Sequence, residues 1–158
     1  MLCNMEYTFF YLSAVIIPIL FIICCFFRKP VVSNILIGLV SIGYSLINDI
    51  ILGDRLKLFH YIIREHSTLY MVLAAITIYA PLNITYTMFL PQKLRPSIIY
   101  TGFWIIALLI FEILSLLTKT IVFTGWKMFP WSIVLYIVSY LWIYSLYRFL
   151  QRKIPSST

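Results

Sequence analysis

At 158 residues, 63% hydrophobic and only 11% charged, with a mean hydropathy of +1.00, the chain lies outside the composition of soluble domains. Its net charge of +7 comes from basic residues scattered between apolar runs rather than gathered on one face, which excludes a nucleic-acid partner. Cys3, Cys24 and Cys25 give neither a disulfide framework nor a metal-ligand spacing, and no cofactor motif is present.

The charge falls in short gaps between five apolar runs, residues 7–27, 33–52, 67–90, 97–118 and 129–150. Each is long enough, at a rise of about 1.5 Å per residue, to cross a hydrocarbon core roughly 30 Å thick. The runs are apolar on every side, the membrane pattern rather than the amphipathic one of a soluble core helix. The expected fold class is therefore all-α, a polytopic transmembrane helical bundle of five spans. It forms one domain over residues 1–158, since no gap is long enough to fold separately. Continuous runs of this length argue against an outer-membrane barrel.

The first run lacks a basic leader and is followed by Arg28-Lys29-Pro30, so it is expected to be a retained anchor rather than a signal peptide. Pro18 is expected to kink it, and the short turn predicts that the first two helices are antiparallel neighbours. In the second run Asn34, Gly38, Ser41, Ser45 and Asn48 recur at steps of 4, 3, 4 and 3. A stripe of small and polar residues admits a close neighbouring helix, or else forms one wall of a polar cavity. Asp49 borders the stripe near the end of the run, where an interfacial carboxylate reaches water. Between Asp54 and His66, Leu56, Phe59, Ile62 and Ile63 share one helical face, which predicts a short interfacial helix on the outer leaflet. His60 and His66 lack a third ligand, so no metal site is expected.

The third run carries Pro81 and Asn83 at mid-depth; the sequon Asn83-Ile84-Thr85 lies inside the span and is discounted for glycosylation. A tight basic turn, residues 91–96, leads to the fourth run, where Glu112 sits six residues from the outer end, about 9 Å deep. Insertion scales put a charged group at membrane depth at up to ~3 kcal/mol, so the carboxyl must be protonated, paired or facing water. Two readings stand: proton, cation or polar-ligand contact, or a neutral carboxyl that holds helices together by hydrogen bonding. The last external loop holds Gly125-Trp126-Lys127, an aromatic-plus-basic interfacial anchor. The fifth run sets Tyr136, Tyr140, Tyr144 and Tyr147 at steps of 4, 4 and 3, with Ser132 and Ser139 beside them. Tyr136 matches Glu112 in depth and can donate to it, and Tyr140 lies near mid-membrane. The tail from Gln151 is short, basic and expected to fray. With the N-terminus outside and the C-terminus cytoplasmic, seven of the 12 basic residues fall inside: Arg28, Lys29, Lys93, Arg95, Arg148, Arg152 and Lys153.

From Asn48-Asp49 to Leu150 the chain resembles an uncharacterised family of small multi-pass membrane proteins from endospore-forming Firmicutes. The resemblance rests on Tyr79-Ala80-Pro81-Leu82-Asn83, Phe111-Glu112-x-x-Ser115-Leu116 and Gly125-Trp126-Lys127. It implies a bundle in the bacterial cell membrane and carries no activity. The chain departs from the family in its external loop, where Ile62-Ile63-Arg64-Glu65-His66 replaces an acidic, Gly/Pro-bearing segment. In length, five spans and Phe129-Pro130-Trp131 it is also similar to the tryptophan-rich sensory proteins that bind porphyrins and sterols, but their other Trp-Pro patterns are missing.

Three functions compete. The first is a non-enzymatic bundle in the lipid bilayer that binds an apolar ligand, a membrane-protein partner or a second copy of itself. The second is a proton-coupled transporter or accessory using Glu112, with Asp49, Asn83, Tyr136 and Tyr140 along the path. An intramembrane lipid-acting enzyme comes last, because it needs a second deep carboxylate or a His near Glu112, and none is evident within helical reach.

Overall fold

Lipid offers backbone amides no hydrogen-bond partners, so the chain closes them within helices. The computed structural model, which describes residues 5–154, has five helices long and apolar enough to span a membrane: α1 (Met5–Phe27), α2 (Val32–Arg55), α3 (Arg64–Met88), α4 (Leu94–Leu117) and α5 (Met128–Lys153). This is an all-α bundle. Cys3 lies outside the described residues.

α3 is the central helix, with 44% of its most apolar stretch buried against 11% to 22% in the other four. Its small residues Ala74, Ala75 and Ala80 are buried and let neighbours approach. Before Pro81 the helix widens into a π turn at Ala75–Tyr79. A proline removes one i→i−4 bond and crowds the carbonyl of the preceding turn, and the wider turn relieves both.

α2 and α1 pack on different sides of α3. The expected pairing of α1 with α2 is corrected: α1 lies chiefly against α3, with a smaller contact to α4. Phe10 joins Tyr61, Tyr70, Met71, Ala74 and Ile78 in one core cluster, and buried aromatic area outweighs proximity in sequence. α2 also meets α5, and α5 meets α4. The gap that remains, between α3 and the α4–α5 pair, is bridged toward one end by aromatic rings. Tyr86 stacks on Tyr100 at 5.4 Å and meets Tyr140 edge-on at 4.8 Å, with Trp104 alongside.

At the other end the predicted interfacial helix is replaced by a strand. α2 runs beyond Gly53 as a π turn, Ile50–Arg55, and Lys57 (φ 54°) reverses the chain. β1 (Phe59–Tyr61) then pairs antiparallel with β2 (Ile121–Phe123), in the register Phe59 to Phe123 and Tyr61 to Ile121. The Leu58 carbonyl accepts from the amides of Thr124, Gly125 and Trp126 at 2.9 to 3.0 Å. Aromatic and β-branched residues favour a strand once a partner supplies the ladder, and that partner lies about sixty residues away, out of sight of a local periodicity. Non-glycine residues with positive φ flank the strands, Lys57, Ile62 (φ 42°) and Lys119 (φ 59°). For the β-branched Ile62 this is strained backbone, held by the packing of Ile62 in the core and by its amide bond to Thr120 O at 3.0 Å.

Candidate functional site

α4 buries one narrow face, on which Leu108, Glu112 and Ser115 fall at helical spacing. That face looks into a cavity of about 150 Å³ lying beneath the sheet and walled by α2, α3, α4, α5 and both strands. Such a space holds several water molecules or a ring-sized group.

All five residues singled out in the sequence, Asp49, Asn83, Glu112, Tyr136 and Tyr140, line this one cavity. Ser132 Oγ donates to Glu112 Oε1 at 2.6 Å and accepts from Trp126 Nε1 at 2.9 Å. Tyr136 and Tyr79 neighbour the same carboxyl. Even so, Glu112 Oε2 is buried with no hydrogen bond of ordinary geometry, on a residue only 6% exposed, and the Tyr136 hydroxyl is the donor that stands beside the carboxyl. A second chain of bonds runs from Tyr79 through Tyr61 (2.9 Å) to Asp49 Oδ2 (3.4 Å). Burial, and next the adjacent Asp49, push the Tyr61 phenol well above the ordinary tyrosine range, so it acts as a donor to Asp49. A third joins Trp104 Nε1 to Tyr140 OH (2.8 Å) and Tyr140 OH to Asn83 Oδ1 (2.9 Å), closing the cavity floor.

The polar stripe on α2 divides along its length. Asn34 and Gly38 pack on α3, where Asn34 Nδ2 donates to Thr87 Oγ1 at 3.1 Å. Ser41, Ser45 and Asn48 line the cavity, so the stripe serves both close packing and a polar wall. Ser41 Oγ is buried and, like Glu112 Oε2, makes no hydrogen bond of ordinary geometry. Tyr44 closes the seam toward α5, bonding Ser139 Oγ at 3.1 Å and stacking on Trp142 at 5.0 Å.

Two expectations change here. Asp49 does not stand at the end of its helix: α2 continues to Arg55, so the carboxyl lies six residues in, half-buried, and lines the cavity. Glu112 therefore does have a second deep carboxylate in its cavity, which separation along the sequence conceals. Tyr61, Tyr79 and Trp126 are site residues that sequence reasoning misses. Tyr61 falls in the segment that reads as an interfacial helix and Trp126 in one that reads as a membrane anchor. Tyr79 stands four residues before Asn83 on the same face, a signal that the sequence does carry. Among the described residues no Lys, Arg or His lines the cavity, and no three His, Cys, Asp or Glu converge as metal ligands.

No protein-family profile, curated protein or solved structure matches this chain.

Proposed function

We propose that this integral membrane protein is a binding bundle of the bacterial plasma membrane that takes a small amphipathic molecule into the cavity beneath the sheet and holds it without transforming it. The observation that carries this reading is the pair of buried polar atoms without a hydrogen bond of ordinary geometry on two walls of one cavity, Glu112 Oε2 on α4 and Ser41 Oγ on α2. A buried polar group left without a bond costs about 1–3 kcal/mol, so an interface shaped only for packing gains nothing by keeping two around one void. A ligand with polar and apolar parts satisfies both the orphaned oxygens and the aromatic walls. The volume suits a ring, since an engineered cavity of roughly 150 Å³ accepts benzene.

The test adds three single-ring probes of similar size and different charge, benzylamine, benzyl alcohol and benzoate, to the full chain in detergent. At least one should raise the melting temperature, because a ligand that binds only the folded state stabilises it. Ser45→Phe and Leu135→Trp, which fill the cavity from α2 and from α5, should abolish the rise while the protein stays monodisperse. A melting temperature that none of the three probes moves overturns the reading.

The proposal places the N-terminus outside and the C-terminus in the cytoplasm, supported by the seven basic residues on that side and by the resemblance to the endospore-former family. Reporter fusions after Lys29 and after Arg95 should report cytoplasm, and those after Arg64 and after Gly125 the exterior. A cytoplasmic signal at Arg64 overturns the orientation.

A further inference from the structure

We infer, building on the binding role proposed above, that the ligand is an organic monocation, an ammonium group on a ring-sized apolar body, anchored at Glu112 Oε2. Three features of the cavity select this class. Its charge-bearing side chains are two carboxyls, Asp49 and Glu112, with no basic residue among the described lining, so an anion finds no counter-charge. The carboxyls are not equivalent. Asp49 already accepts from Tyr61, whereas Glu112 presents a buried oxygen that makes no hydrogen bond of ordinary geometry, with the Tyr136 hydroxyl beside the carboxyl. The walls are aromatic: Tyr79 and Tyr136 beside Glu112, and Trp126 through Ser132. Ring faces and phenol oxygens attract an ammonium and cover an apolar body at once. A divalent metal wants six to eight oxygen ligands for calcium, or octahedral geometry for magnesium, and no three ligating side chains converge among the described residues.

A carboxyl at membrane depth is neutralised by a proton or by a cation. Among the described residues no cationic side chain lines the cavity, so without a bound cation the carboxyl is neutralised by a proton. Binding is then an exchange. The O–H bond of the Glu112 carboxyl breaks, its proton leaves to solvent, and the carboxylate left behind pairs with the incoming ammonium, so one cation enters for each proton released. The other titratable groups facing the carboxyl or its cavity are Tyr136 and Tyr140 from α5, Tyr79 from α3, Asp49 and Tyr44 from α2 and Tyr61 from β1. α1 meets this part of α4 through Phe9, against Phe111, and brings no charge there.

The same three probes separate this inference from the binding role itself, now by titration calorimetry. Benzylamine should bind at least tenfold tighter than benzyl alcohol, and benzoate should not bind. While the amine stays charged, raising the pH by one unit should tighten benzylamine by up to about tenfold, the limit for one proton exchanged per cation. Glu112→Gln should reduce benzylamine to the affinity of benzyl alcohol and remove the pH dependence, whereas Asp54→Asn, which removes an exposed carboxyl outside the cavity, should change neither. Should Glu112→Gln fail to fold, proton release decides in the parent protein: one proton per benzylamine bound in weak buffer supports the exchange, and none overturns it. Equal binding of benzyl alcohol and benzylamine overturns the cation assignment and leaves the cavity's binding role standing. Loss of the preference in Asp49→Asn alone overturns Glu112 as the anchor.

Discussion

Ile106→Arg should block membrane assembly, although Ile106 touches little of the protein. The residue is 54% exposed and lies midway along α4, so its surroundings are lipid. An arginine at the centre of a span costs ~2.5–3.5 kcal/mol on insertion scales, and this helix already carries Glu112. On a water-facing helix the same change at a half-exposed position falls within about 0.5 kcal/mol. Comparing the membrane-inserted fraction of Ile106→Arg with that of Ile106→Leu therefore reads the environment of the outer face directly. Full insertion and unchanged melting of the arginine variant would mean that this face meets water or is covered by another chain.

Gly38→Leu should be the most damaging single change in the packing of α2. A Cβ at that position would lie 2.5 Å from Ile84 Cδ1 and 2.6 Å from Cγ1, and the rest of a leucine would be driven toward the backbone of α3 near Ala80 O. Overpacking of this kind costs about 1–3 kcal/mol and often displaces backbone. Displacement here would also move Ser41, Ser45 and Asn48, which share the helix and line the cavity. Gly43→Leu is the matched control on the same helix, because a Cβ there meets nothing within 4 Å and the side chain points out of the bundle. In detergent, Gly38→Leu should melt several degrees below the parent and bind the cavity probes more weakly, while Gly43→Leu should match the parent in both. Equal melting of the two variants would separate α2 from α3 at this point.

Much of the candidate site can be read without the structure. Glu112, Asp49 and Asn83 stand out because a bilayer penalises polar groups at any depth, whatever their neighbours. Ser132 and Tyr136 follow from matching depths on successive helices; Ser132 bonds Glu112 at 2.6 Å and Tyr136 stands beside the same carboxyl. Tyr61 and Trp126 stay hidden because aromatic residues near a membrane interface belong there in any case. Nothing local marks the ones that turn inward.

The sequence by itself determined the five spans and the helical bundle, because the bilayer acts on each segment separately. Every backbone amide must be satisfied within its own helix, and length and composition suffice to read that. The tertiary structure alone decided which faces meet. Lipid is as apolar as a protein core, so outward residues such as Phe103 at 70% exposure and Leu117 at 73% resemble inward ones, and no amphipathic cue separates them. The placement of α1 on α3, the division of the α2 stripe and the gathering of Asp49 and Glu112 around one cavity all depend on that choice. So does the sheet, since β1 and β2 form only when the ends of α2 and α4 bring two distant segments side by side.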